Sequence, residues 1–147
     1  MKRIIEYRSL FNAEKDTTLS DLKKTYRNLV KEWHPDKFQE GDPQQKEAER
    51  KSKEIIDAYS FLVSISPETH AQNLSEYTDT TTGSGIDDYQ YKGVTLKVTF
   101  QNGSIYEYFG VPRSIYNKLN SSPTIDRFAR RHIFHAHLYR KVMKSND

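Results

Sequence analysis

The sequence predicts an α+β fold. An N-terminal antiparallel helical hairpin, all-α, precedes a small domain with a three-stranded antiparallel meander and one or two helices. Three observations lead there. Apolar residues at Leu22, Tyr26, Leu29, Val30 and Trp33 recur three or four apart, the spacing of one buried helix face. Beyond residue 93 the period changes to two: Val94, Leu96, Val98 and Phe100 alternate with Thr95, Lys97 and Thr99, as in a half-buried strand. Between the two patterns, residues 71–85 (A-Q-N-L-S-E-Y-T-D-T-T-T-G-S-G) are polar, threonine-rich and closed by glycines, which reads as an interdomain linker. The expected division is therefore 1–70, a linker at 71–85, and 86–147.

A chain of 147 residues suffices for one ordinary domain or two small ones. Its net charge of +3 is unevenly placed. Residues 1–70 hold 13 Lys+Arg against 13 Asp+Glu, whereas residues 113–147 hold eight Lys+Arg against Asp126 and Asp147. The cationic excess sits at the C-terminal end. With no cysteine, disulfides and thiolate metal sites are excluded and a reducing compartment is compatible. No apolar run approaches the ~18–20 residues of a membrane span, and M-K-R-I-I-E-Y-R lacks the apolar core of a signal peptide. A soluble, cytoplasmic protein without membrane contact is expected.

In chain order, residues 3–11 predict a short helix resting Ile4, Ile5 and Leu10 on the main pair. Thr18 is placed to cap the second helix, with Asp21 three residues on as a favourable first-turn charge. That helix runs to about Trp33. Pro35 ends it, because the ring disfavours the α conformation at His34 and removes an amide donor. His34 and Asp36 are thereby presented at the mouth of a loop spanning Lys37 to Pro43, and Phe38 is expected to fold back under it. Along the side of the same helix, Lys23, Lys24, Arg27 and Lys31 stand three and four apart, one basic stripe. Such a stripe is ordinarily a solvated face. Leading to a stiff His-Pro-Asp tip, it reads as a docking surface for an acidic partner. A third helix from about Gln44 to Ile65 carries Ile55, Ala58, Tyr59 and Leu62, and so short a loop should make the pair antiparallel.

The span from about Tyr7 to Leu62 resembles the J domain of DnaJ-type co-chaperones. The matching residues are Tyr7 and Leu10, the L-K-K-T-Y-R-N-L-V-K-E-W-H-P-D helix, and the later A-E-R-K-S-K-E-I-I-D-A-Y helix from Ala48 to Tyr59. The resemblance implies that His34, Pro35 and Asp36, with Lys23, Lys24, Arg27 and Lys31, engage a DnaK-type heat-shock chaperone and stimulate its ATP hydrolysis. Two departures stand out. Many J domains have an aromatic residue where this chain has Ser52, a change expected to affect core packing rather than the docking ridge. A basic fourth helix is not recognisable in Ser66 to Tyr77, and neither a Gly/Phe-rich tract nor a cysteine-rich zinc module is present.

In the second half, residues 86–91 are expected to add a third strand. Pro112 opens a short helix to about Leu119. Ser122 and Pro123 start another, with Ile125, Phe128, Ala129, His132 and Ile133 on one face and Arg127, Arg130 and Arg131 off it. From Phe134 to Val142, helix and strand are both compatible with the pattern. This half resembles the KTSC domain, named for the C-terminus of some lysyl-tRNA synthetases, through V-T-F-Q-N-G-S-I-Y-E-Y-F-G-V-P-R-S-I-Y and R-F-A-R-R-H-I; RNA binding is the function usually suggested for it.

The hairpin register decides the use of Tyr106 and Tyr108. A two-residue Asn-Gly loop pairs Val98 with Glu107, which frees both tyrosines to stack on bases. A type I turn with Gly103 in a left-handed bulge position instead pairs Lys97 with Glu107, and sets Val98 and Leu96 against Tyr106 and Tyr108. The second register is favoured, because burying an unpaired carboxylate is expensive and a cross-strand ion pair contributes roughly 0.2–1 kcal/mol. The tyrosines are then core.

Arg127, Arg130, Arg131, Arg140, Lys141 and Lys144 form a cation-rich set that serves solubility or binds a polyanion such as RNA. His132 and His135 have ligand-like spacing, with His137 nearby, but no acidic or cysteine co-ligand stands close, so neither metal nor cofactor is expected. No catalytic grouping is evident, and the chain is not expected to be an enzyme. Two functions remain: a J-domain co-chaperone whose C-terminal domain chooses client or location, and an RNA-binding module tethered by its J-like half.

Overall fold

The structure is a computed structural model, and it describes residues 1–142. The chain divides into two compact units, one of residues 2–70 and one beginning at Ala71.

The first unit is helical: α1 (Lys2–Phe11), α2 (Leu19–Trp33), a 3-10 turn (Pro35–Lys37), α3 (Pro43–Ser64) and most of α4 (Pro67–Gln72), whose last two residues fall past the unit's boundary. Asn12, with φ 48°, takes the left-handed conformation that closes α1, and Ala13 N–H returns to the Arg8 carbonyl at 2.8 Å, as in a Schellman ending. Thr18 caps α2 by accepting from Asp21 N–H at 3.1 Å, and Asp42 caps α3 by accepting from Gln44 N–H at 2.9 Å ahead of Pro43, a residue suited to a first helical turn. The core is Ile4, Phe11, Leu22, Ala48, Ile55, Ala58, Phe61, Leu62 and Ile65. Tyr26 of α2 stacks on Tyr59 of α3 with ring centroids 4.2 Å apart, so the two apolar stripes cover each other. Ile5, expected to rest on the pair, is 65% exposed. It lies one residue, about 100° of helix, from buried Ile4. A fourth helix exists, but it is six residues long with Glu68 and His70, and Glu68 Oε1 accepts from Leu19 N–H at 3.1 Å.

The second unit corrects the linker assignment. Residues 74–83 form α5 (Leu74–Gly83), with Tyr77, Thr80 and Thr81 buried. Threonines favour strands and loops in isolation, but here Thr81 and Thr82 hydroxyls bond back to the Tyr77 and Thr78 carbonyls at 2.9 and 2.6 Å. Burial of Tyr77 does the rest: its hydroxyl donates to the Phe134 carbonyl at 2.6 Å and meets Tyr108 Oη at 3.0 Å.

Four strands follow in antiparallel order β1-β2-β3-β4: β1 (Ile86–Lys92), β2 (Thr95–Phe100), β3 (Ile105–Phe109) and β4 (Leu138–Val142). The expected three-stranded meander is thus extended by β4, which resolves the helix-or-strand ambiguity of the segment ending at Val142. Between β3 and β4 run α6 (Arg113–Ser121) and α7 (Ile125–His132). The β2–β3 register is the bulged one: Leu96 pairs with Tyr108, Lys97 with Glu107 and Val98 with Tyr106. Gly103 has φ 89°, a conformation that favours glycine, and Gly103 N–H reaches the Phe100 carbonyl at 2.9 Å. Tyr106 and Tyr108 are core, 2% and 0% exposed, alongside Leu96, Val98, Phe100, Leu119, Ala129 and Phe134.

Candidate functional site

The first candidate site starts where α2 stops. Successive residues of an α-helix turn through about 100°, which puts Lys23, Lys24, Arg27 and Lys31 within an arc of about 100°. All four are exposed. Among the described residues none of them takes part in an ion pair, so their charge is left facing outward.

At the end of this ridge the chain turns through His34. Its backbone is extended, φ −61° and ψ 127°, as the following proline ring requires. His34 therefore closes α2 and opens the 3-10 turn at once. Its Nδ1 accepts the Asp36 N–H at 3.2 Å and lies 3.6 Å from Asp36 Oδ2. With Nδ1 acting as acceptor, a neutral ring carries its proton on Nε2. Lys37 N–H returns to the His34 carbonyl at 3.0 Å and Phe38 N–H to the Pro35 carbonyl at 3.1 Å, so the corner is held by its own backbone. The side chains of His34 and Asp36 remain 51% and 92% exposed. An open carboxylate on a stiff turn can accept a two-pronged guanidinium without first rearranging.

Ser52 was not legible as part of this site. Its hydroxyl donates to the Trp33 carbonyl at 2.8 Å, next to His34, and Lys51 Nζ stands 5.9 Å from the Trp33 ring centre. The departure at position 52 thus reaches the end of α2 as well as the helix packing. Trp33 and Phe38 also line an open groove with Glu32, Gln44 and Glu47.

The second cation-rich set is only partly brought together. Arg127, Arg130 and Arg131 are exposed and fall within about 100° on α7, opposite the face that buries Ala129. Asp126 of the same helix is occupied, accepting Ile86 N–H at 2.8 Å. Arg140 and Lys141 do not join this face. On β4, Arg140 Nε donates to Glu107 Oε1 at 2.8 Å, with side chains 16% and 14% exposed, and Lys141 is paired with Glu76 of α5. Glu107, expected to pair with Lys97 across β2–β3, meets Arg140 across β3–β4 instead, because β4 supplies a partner invisible to the hairpin alone. Lys144 lies outside the described residues.

The tyrosine pair expected to leave the stacking role is indeed enclosed. Burial pushes the Tyr106 phenol up to about 12 and raises Tyr77 and Tyr108 in the same direction. These are neutral packing groups, with the Tyr77 and Tyr108 hydroxyls 3.0 Å apart, and Tyr106 and Tyr108 are too deeply buried to offer a face to a base.

Comparison with known proteins agrees with both halves. Residues 6–70 match the DnaJ domain family and residues 84–137 the KTSC domain family. The chain is 42% identical over 57 residues to the chaperone protein DnaJ of Thermotoga petrophila, covering 39% of this chain and 15% of that one. With the chaperone protein DnaJ of Mesomycoplasma hyopneumoniae it shares 34% identity over 106 residues, 71% of this chain and 27% of the relative. With DnaJ homolog subfamily B member 6-B of Xenopus laevis it shares 40% over 60 residues, 40% and 23% of the two chains. The chain thus spans a quarter or less, or little more, of the curated relatives it matches. No helix among the described residues is long and apolar enough to cross a membrane. Helical N-terminal unit, basic helix and sheet-based C-terminal unit therefore fit together in one statement: the chain carries a DnaJ domain followed by a KTSC domain.

Proposed function

We propose that this chain is a J-domain co-chaperone that docks on a DnaK-type heat-shock chaperone and stimulates its ATPase, with the KTSC unit as an accessory binding domain. The observation that carries this reading is the His34-Pro35-Asp36 corner, with His34 and Asp36 exposed, at the end of four exposed cations on one face of α2. Docking proceeds in two stages. The basic face of α2 captures an acidic surface, raising the encounter rate at low salt. Asp36 then pairs with an arginine of the chaperone in a charge-assisted bond, while Pro35 keeps the entropy lost on docking small. The chain itself performs no chemistry in this scheme; it favours the hydrolysing state of its partner.

The test is capture of a purified DnaK-type chaperone by the immobilised full chain, with Asp36→Asn as control. Retention by the parent and loss in the variant, at unchanged helical circular dichroism, supports the reading; equal retention defeats it. A second reading rests on the exposed Arg127, Arg130 and Arg131, which present a phosphate-binding density of charge. If the chaperone is not retained, while RNA binding falls steeply with salt and with Arg130→Ala plus Arg131→Ala, the nucleic-acid module replaces the co-chaperone.

A further inference from the structure

We propose that Ser52 is a positioning residue for the docking corner: its hydroxyl, bonded to the Trp33 carbonyl, sets the direction in which His34, Pro35 and Asp36 leave α2. The last carbonyls of a helix have no partner within it. At Trp33 the amides that would reach this carbonyl in a continuing helix are taken: Asp36 N–H goes to His34 Nδ1 at 3.2 Å and Lys37 N–H to the His34 carbonyl at 3.0 Å, with His34 itself extended. The peptide carrying the Trp33 carbonyl is therefore the pivot between helix and corner. Ser52, 19 residues on in α3, fastens that pivot at 2.8 Å from a half-buried position. Lys51 adds a second hold from the same turn of α3, with its ammonium 5.9 Å from the Trp33 ring centre. A side chain that only filled space would not select the carbonyl. A hydroxyl does, because the bond fixes the plane of the peptide as well as its place.

The inference deepens the docking reading, and its functional arm rests on that reading. Its structural arm does not. Trp33 is the single tryptophan of the chain, so its fluorescence reports on this pivot without background, and the His34 ring nitrogens report on the bond from Asp36 N–H. Both signals are measured on the full chain in the parent, Ser52→Ala and Ser52→Thr, beside titrations of chaperone ATPase stimulation. In Ser52→Ala the Trp33 emission and the His34 nitrogen resonances should shift. The half-saturating concentration should rise about two- to tenfold, as expected when a single hydrogen bond no longer holds the competent geometry. Maximal stimulation should be kept, and Ser52→Thr should restore all three. A general loss of stability would not produce this split at temperatures where both proteins are folded. Unchanged Trp33 and His34 signals in Ser52→Ala, or failure of Ser52→Thr to restore them, would overturn the proposal. If the parent stimulates no DnaK-type chaperone, the docking reading fails, and shifted signals that return in Ser52→Thr still establish the positioning role.

Discussion

Replacing Arg27 by glutamine should move stability and docking in opposite directions. Arg27 lies four residues from both Lys23 and Lys31, with all three exposed. Like charges at that spacing destabilise a helix by roughly 0.2–0.5 kcal/mol per pair. Glutamine has nearly the helix propensity of arginine, so removing the central charge relieves two repulsions and should stabilise the first unit by about 0.4–1 kcal/mol. Docking loses one exposed ion pair, roughly 0.2–1 kcal/mol. At 1.4 kcal/mol per tenfold, that is a rise of about 1.4- to 5-fold in the half-saturating concentration for chaperone stimulation. Neutralising Lys23, Lys24 and Lys31 as well should compound the loss and flatten its dependence on salt, since the Debye length shrinks from about 10 Å at 0.1 M to about 3 Å at 1 M. Urea unfolding and ATPase titration on the same preparations read both effects. A variant that unfolds more easily yet docks as well as the parent would refute the reasoning, because the ridge would then be serving the fold.

Three predictions concern the second unit. Tyr77→Phe removes the hydroxyl shared by the Phe134 carbonyl and Tyr108, and should cost about 1–3 kcal/mol in denaturant unfolding; a change below 0.5 kcal/mol would mean α5 is not integral to the unit. Glu107→Ala should cost about 1–3 kcal/mol by removing the carboxylate that Arg140 meets at 2.8 Å with both side chains largely buried, whereas Lys97→Ala, on the exposed side of β2, should stay within about 0.5 kcal/mol; equal effects would return the ion pair to Lys97. Tyr106, Tyr77 and Tyr108 hold their protons more tightly folded than unfolded, where a phenol titrates near ~10. Their contribution is intact below about pH 10 and is lost as pH rises toward the folded values, so phenolate absorbance from these residues should appear together with alkaline unfolding rather than before it.

What could be seen in the sequence was what the chain decides locally. The α2 stripe, the Thr18 cap and the stop at Pro35 each depend on residues within a turn or two of one another. The bulged hairpin followed from Gly103 and from the cost of burying Glu107, again a local comparison. The misses share a different origin. Residues 71–85 have weak helix propensity and become helical because Tyr77 finds Phe134 and Tyr108 at separations of 57 and 31 residues. Arg140 and Lys141 looked like surface cations until β4 brought them to Glu107 and Glu76, 33 and 65 residues away. Ser52 could have been suspected: a small polar residue at an expected aromatic position needs a hydrogen-bond partner when half-buried, and the nearest broken helix end was that of α2.

Steady-state ATP hydrolysis by a purified DnaK-type chaperone, titrated with the full chain and with its His34→Gln and Asp36→Asn variants, bears most directly on the docking role. The parent should raise the rate in a saturable manner, and both variants should fail to do so while keeping the parent's unfolding midpoint. Stimulation that survives in either folded variant, or that is absent in the parent, would contradict it.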